Sequence, residues 1–401
     1  MEKVFHASRW IGIPNTSAFW KLWACCVIFL MVSVEIGAIR KVIRALAGWA
    51  VDTSKQRSVT ARLAGAMFYA MSVISQILCW RLAQSWSQLS KTWAATEWTL
   101  SIKYVPPDVT LRRRLLVVTA FIMIGGLGEH VLSILAAIND EFQNPDLLRT
   151  YILKSHGFLF LEKEYHPAFG VAVFFISNLA TILWNFQDLV IVLTSMGLTS
   201  RYYRLNICIA MLISRQKEKK TDQDIQILRL YLWRKIREAF VRQATLARKV
   251  DETLGLLILF SNFFNFYFIC LQLFLGITLG VTGEPLQQTY YLVSLCWICI
   301  RSSCVVLAAS DVNQHSNKAL TYLCDCLPYQ YNIEIERLQV QLRKDYIALS
   351  GMGFFYLTRS VLLKVASSVI TYVLVLVQYD GTDRIDGKWL NSTSNNTDVN
   401  N

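Results

Sequence analysis

Apolar runs close to the length of a bilayer crossing recur along the chain. They lie at roughly 19–39, 64–80, 115–137, 170–195, 254–280, 289–309 and 360–379, and most charged residues fall between them. The pattern predicts an all-α membrane protein of seven transmembrane helices. The last run, Ser360 to Asp380, carries no charge from Val365 to Val377. Its polar residues keep a helical interval. Thr371 and Gln378 are seven apart on one edge, Tyr372 and Tyr379 are seven apart on the next, and Val373 to Val377 are all aliphatic. A narrow polar and aromatic edge on an oily helix faces protein or water rather than lipid.

Two long segments between the runs have a different character. From Asp224 to Thr253 the chain is rich in Leu, Ile, Arg, Glu and Ala and has no Gly or Pro, with Ile225, Leu228, Leu232, Ile236 and Phe240 at near-helical steps. This predicts an amphipathic helix that extends the fifth span. Residues 310–359 look similar, with apolar and charged positions interleaved from Ile333 to Tyr346. The chain therefore divides into spans one to four with short loops (1–198), a helical extension (199–253), spans five and six (254–309), a second helical segment (310–359), the last span (360–380) and a tail (381–401).

The distribution of Lys and Arg sets an orientation. With the amino terminus inside, the inner segments hold 27 and the outer segments 11, so the bias places the amino terminus in the cytoplasm and the carboxyl terminus outside. The loop after the first span, with Arg40, Lys41, Arg44, Lys55, Arg57 and Arg62, runs against this bias. In this topology 199–253 and 310–359 are cytoplasmic, and the glycosylation sequons at Asn391 and Asn395 are extracellular.

Composition agrees with a membrane class. Hydrophobic residues make up 54% and charged residues 17% of the chain, and the mean hydropathy is +0.36. The formal charge of +12 does not indicate nucleic-acid binding, because the cations sit in loops between apolar runs. None of the ten cysteines falls in an extracellular loop, so a disulfide framework is not expected, and Cys324-Asp325-Cys326 without a second cluster does not make a metal site. No P-loop, nucleophile elbow, zincin helix or dinucleotide-binding turn is present, so neither an enzyme nor a cofactor is expected.

Thr371-Tyr372, five hydrophobic residues, then Gln378 and an aromatic resembles the TYhhhhhQF signature of insect gustatory receptors, with Tyr379 in the last position. Upstream, Ala348-Leu349-Ser350-Gly351-Met352 and Phe354-Phe355-Tyr356-Leu357-Thr358-Arg359 are similar to the sugar-receptor branch, as are Gly128 to Ser133, Trp184 to Leu189 and Ser261 to Gln272. The resemblance runs from about Trp80 to Tyr379. It implies subunits that assemble through their cytoplasmic helices as a homo- or hetero-tetramer. The central pore is then lined by the last helix, and the channel is a non-selective cation channel opened by a sugar. On that reading Thr371, Val375, Gln378 and Tyr379 lie at the pore and its gate. The location implied is the plasma membrane of gustatory neurons, with lipid and a small sugar as the partners.

Ionisable residues inside spans are costly and face a cavity or a partner. Glu129 and His130 lie in the third span and Asp188 in the fourth, where Trp184, Asn185 and Asp188 share one helix face. The fifth span adds Asn262, Asn265 and Gln272 among Phe264, Tyr267 and Phe268. Aromatic plates beside amides and carboxylates suit a neutral polyol. The residues alone favour packing, with Glu129, His130, Asp188 and Arg301 pairing with one another. The resemblance turns the balance to a ligand pocket formed by Glu129, His130, Trp184, Asn185, Asp188, Asn265, Gln272 and Tyr372. A seven-helix G-protein-coupled receptor, or a chemoreceptor for a ligand other than a sugar, is the alternative. The first of these lacks its usual marks, because Asn139-Asp140-Glu141 follows the third span and Gln378-Tyr379 ends the last.

Overall fold

The computed structural model describes residues 2–14, 17–49, 59–99, 107–139, 146–159, 162–216, 223–278, 284–326, 331–375 and 378. Among these it is a helical bundle: α1 (Glu2–Ser8), α2 (Ala18–Leu46), α3 (Val59–Thr99), α4 (Leu111–Ile138), α5 (Leu147–Ser155), α6 (Pro167–Gln216), α7 (Gln223–Thr278), α8 (Pro285–Cys324) and α9 (Ile333–Lys344). A further helix, α10, covers 359–375, and residue 378 is helical too. Six of these helices, α2, α3, α4, α6, α7 and α8, are long and apolar enough to cross a membrane. Large side chains such as Phe29, Ile124, Leu127 and Phe169 are exposed on them, as a lipid-facing surface requires. The chain is a multi-pass membrane protein.

Four helices are far longer than a crossing needs. α3, α6, α7 and α8 have 41, 50, 56 and 40 residues. At about 1.5 Å per residue they measure roughly 60–85 Å against a hydrocarbon core of about 30 Å. The excess falls at one end of the bundle, where α3, α6 and α8 finish and α7 begins. The fifth apolar run and the segment before it form one uninterrupted helix. The sixth likewise continues to Cys324, well past residue 309.

These projecting ends have a core of their own, with Tyr202, Trp233, Ile236, Phe240, Leu246, Leu338 and Leu349 all buried. α9 starts where the Asn332 side chain caps the amides of Glu334 and Ile335, at 3.0 and 3.1 Å. It is tied to α7 by Glu334, which receives Arg237 and Arg337, each at 2.7 Å. Beyond α9, residues 345–358 leave the helical pattern. Met352 and Gly353 adopt positive φ (55° and 77°), and Ser350 bridges back to Tyr356. The Asp251 carboxylate of α7 holds this turn, accepting from the Ser350 amide at 2.5 Å and its hydroxyl at 2.9 Å. Gly255 lies alongside it, where a Cβ would come 3.2 Å from the Met352 amide nitrogen. The Ala348–Arg359 motif is thus a non-helical turn pinned to α7 whose last residue, Arg359, begins α10.

At the opposite end the short α5 lies across the mouth of the bundle, packed on α4 and α6. Lys41, one of the cations that run against the charge bias, is neutralised there by Glu164 at 3.1 Å.

Candidate functional site

Between α3, α4, α5, α6, α7 and α8 lies a cavity of about 620 Å³. Its position follows from how closely α4 approaches its neighbours. Gly125 and Gly126 leave no side chain there, and a Cβ at Gly125 would overlap the Trp297 ring of α8, while one at Gly126 would meet the Asn185 side chain at 2.6 Å. One turn further on, Glu129 and His130 reach the cavity.

The walls combine aromatic plates with hydrogen-bonding groups. The Ser294 hydroxyl donates to the Glu129 carboxylate at 2.8 Å and itself accepts from the Gln272 amide at 3.2 Å. One carboxylate, one hydroxyl and one amide are thereby held in a chain along the wall. His130 sits against Asn178 Oδ1 at 3.0 Å and Thr181 Oγ1 at 3.5 Å. Trp184, Trp297, Tyr290 and Phe268 supply ring surface. The Trp297 indole nitrogen and Gln272 Oε1 are buried, and neither has a hydrogen-bond partner among the described residues.

Beneath the floor is a buried polar network. Asp188 and Arg301 are both fully buried and form an ion pair with Nε and Oδ2 at 2.9 Å. That contact lies off the line of the N–H. The straight hydrogen bonds of the guanidinium run instead to Asn185 Oδ1 at 2.9 Å and Asn265 Oδ1 at 3.2 Å. Asp188 accepts from Ser261 at 2.5 Å and from Asn265 at 3.2 Å. Trp184 donates to Asn265 at 3.1 Å and lies flat under the guanidinium, 4.3 Å from ring centroid to carbon. Arg301 both anchors this network and lines the cavity above it.

The residues singled out from the sequence therefore divide. Glu129, His130, Trp184, Asn185 and Gln272 line the cavity. Asp188 and Asn265 do not; they lie below it and hold Arg301 and Trp184 in place. Tyr372 is elsewhere, half exposed on α10. Of the four ionisable residues that a packing role would join to one another, Asp188 pairs with Arg301, whereas Glu129 turns to Ser294. Tyr290, Ser294 and Trp297 were not anticipated, although with Arg301 they step by four, three and four along α8, a legible helical stripe. Thr371 and Val375 lie on the exposed side of α10, and Gln378, beyond it, is exposed too. Tyr379, Asn391 and Asn395 fall outside the described residues. No metal-binding cluster is found among the described residues.

Comparison with known proteins adds to this geometry. A family model described as the trehalose receptor matches residues 17–388, which includes α2 and the first half of α3, left out by the sequence motifs. The Drosophila melanogaster gustatory receptor for sugar taste 64a is 29% identical over 336 residues, 80% of this chain and 70% of that protein. Gustatory receptor 5a for trehalose from the same fly is 27% identical over 381 residues, 93% and 80% of the two chains. Among solved structures, the insect olfactory receptor OR5 from Machilis hrabei, in complex with eugenol, superposes with a TM-score of 0.66 at 12% identity, covering 94% of this chain and 97% of that one.

Proposed function

Because the chain belongs to the trehalose receptor family of insect gustatory receptors, we propose that it is a sugar-gated cation channel of gustatory neurons. The observation that carries this reading is the cavity itself. A sugar ring presents an apolar C–H face and a rim of hydroxyls. The cavity sets Trp184 and Trp297 beside the Glu129–Ser294–Gln272 chain, so stacking surface and hydrogen-bonding groups converge on one volume. Sugar-taste and trehalose receptors among its relatives support the same class.

The topology that fits has seven spans, with the amino terminus inside and the carboxyl terminus outside. The four projecting helix ends are then cytoplasmic. The cavity opens outward, and the sequons at Asn391 and Asn395 are extracellular. Four subunits, identical or mixed with related receptors, surround a pore lined by α10 through Thr371, Val375, Gln378 and Tyr379. α7 joins the two functions. It brings Phe268 and Gln272 to the cavity, and Phe264 and Ile269 to the cluster that buries Val369 and Val373 of α10. A sugar opens the channel to the extent that it binds the open arrangement of α7 more tightly than the closed one.

The test is whole-cell current from cells expressing this chain during a panel of sugars and sugar alcohols. Glu129→Gln keeps the shape and removes the charge, so the half-maximal sugar concentration rises about tenfold or more. Gln378→Ala changes leak or gating without moving sugar affinity by a comparable factor. Sugar-evoked current unaffected by Glu129→Gln would remove the cavity from the mechanism. Current evoked by other compounds but by no sugar would remove the ligand class.

A further inference from the structure

A second, larger cavity of about 1,040 Å³ lies at the other end of the bundle, between α1, the end of α3, the start of α4 and the second half of α6. Four cations line it, Lys3, Arg112, Arg201 and Arg204, against two carboxylates, Glu97 and Asp108. Asp108 is already saturated. It caps α4 through the Leu111 amide, pairs with Arg114 and accepts from Thr110 and Ser200. Glu97 is shared by Arg201 and Arg204. Lys3 and Arg112 are exposed, with no ion pair among the described residues. Arg201 is only 2% exposed, yet its Nε and Nη2 lack aligned hydrogen bonds; it donates to the Trp93 carbonyl at 3.2 Å and lies 5.5 Å from the Trp93 ring centroid. A buried guanidinium that shares one carboxylate with Arg204, beside two exposed cations with no ion pair among the described residues, makes a site with more positive than negative charge.

The remaining wall says which kind of anion. From Arg112 the cavity follows α4 to Leu115, Leu116 and Thr119, roughly 10 Å along the helix. This carries it from the charged end into the apolar span. Leu116 and Trp98, at 60% and 82% exposure, stand at its edge. A soluble anion has no use for such a wall, whereas an acyl chain does. We propose that this cavity binds the phosphate headgroup of an anionic phospholipid, with Lys3, Arg112, Arg201 and Arg204 on the headgroup and the acyl chains leaving past Leu116 and Trp98. The proposed orientation enters only in naming the leaflet, the inner one, where anionic lipids are concentrated.

Binding is measured by native mass spectrometry on the full chain in detergent. The probes are short-chain phosphatidylinositol bisphosphate, short-chain phosphatidylcholine and inositol trisphosphate. The acidic lipid binds at least tenfold more tightly than the zwitterionic one and than the free headgroup. Lys3→Gln and Arg112→Gln are exposed changes that leave the unfolding temperature unaltered; each weakens the acidic lipid about fivefold, and together about thirtyfold. Equal affinity in the double variant, or for the two lipids, overturns the site. Inositol trisphosphate bound as tightly as the lipid overturns the lipid as its source. None of these readings depends on a sugar response, so the site fails or stands apart from the gating proposal.

Discussion

Glu129 and Asp188, each a lone carboxylate in an apolar span, look alike in the sequence but have different work in the fold. Glu129 has its carboxylate on the cavity wall with one hydroxyl donor, leaving acceptor capacity for an occupant. Asp188 has its two oxygens occupied by Ser261, Asn265 and Arg301. The two carboxylates therefore respond differently to removal. Asp188→Ala strands the Arg301 charge in a buried interior, which costs about 3–5 kcal/mol. The expected outcome is a lower unfolding temperature and little protein at the cell surface, read by fluorescence-detected chromatography after heating. Replacing both partners, Asp188→Leu with Arg301→Met, recovers stability because no charge is left unpaired. It does not recover the sugar response, since Arg301 also faces the cavity. Glu129→Gln spares stability and acts on sugar affinity. If Asp188→Ala folds normally and only its affinity changes, the division between wall and floor is wrong.

At the scale of elements, the six long apolar helices were legible because a bilayer imposes its thickness on the sequence, whereas the seventh run, 360–379, is helical over 359–375 but is not among the six. The extension of the fifth run was legible too, because a charged amphipathic period continues its register from Asp224 without Gly or Pro. The turn at 350–356 was not. Its cause is a long-range contact to Asp251, and the local sequence beside it alternates as a helix does. The floor of the site was legible in part: Asp188 and Arg301 stood among four ionisable residues that could pair, but which of them meet across 113 positions of chain is fixed only by the packing of α6 on α8. Two predictions belong here. Gly126→Ala places a Cβ 2.6 Å from Asn185 and forces α4 outward. Overpacking of this kind costs about 1–3 kcal/mol, and the shift separates Glu129 from Ser294, so thermal stability and sugar affinity fall together. The second concerns the clamp between α9 and α7. The Arg237 hydrogen bond, with Arg337 beside it, holds the Glu334 carboxyl below the ordinary glutamate range. A carboxylate favoured in the folded state stabilises the fold above its unfolded value of about 4.3 and ceases to as pH falls through the lower folded one. Unfolding temperature followed downward from about pH 4.3 therefore drops more steeply in the native chain than in Glu334→Gln, which is less stable at neutral pH.

For the whole molecule the decisive contrast is between apolar surface that lipid can cover and apolar surface that it cannot. Ile124, Leu127, Leu363 and Ile370 are exposed within the spans, where acyl chains satisfy them. Tyr331, Ile333, Val340 and Phe354 are at least 46% exposed on the projecting end, beyond the reach of the hydrocarbon core. Ile333 and Val340 stand seven apart on one face of α9, so the exposure is an organised surface rather than scattered residues. Exposed apolar surface in water marks a contact with protein, and Thr371, Tyr372 and Val375 of α10, with Gln378 beyond it, are exposed as well. The assembly proposed above answers both needs, with other copies of the subunit meeting at the projecting ends and bringing their α10 helices around a common axis. The native chain in mild detergent accordingly has four times the mass of the 45.9 kDa polypeptide, measured by light scattering with the detergent contribution subtracted. Val340→Asp with Phe354→Asp places two carboxylates in that contact and reduces the mass to that of one chain, while the cavity between α4 and α8 is untouched. Such a monomer still binds sugar, seen as ligand-induced thermal stabilisation, but passes no current. A native chain of single-chain mass would mean that α10 has no neighbours with which to enclose a pore, and the channel reading would fall with it.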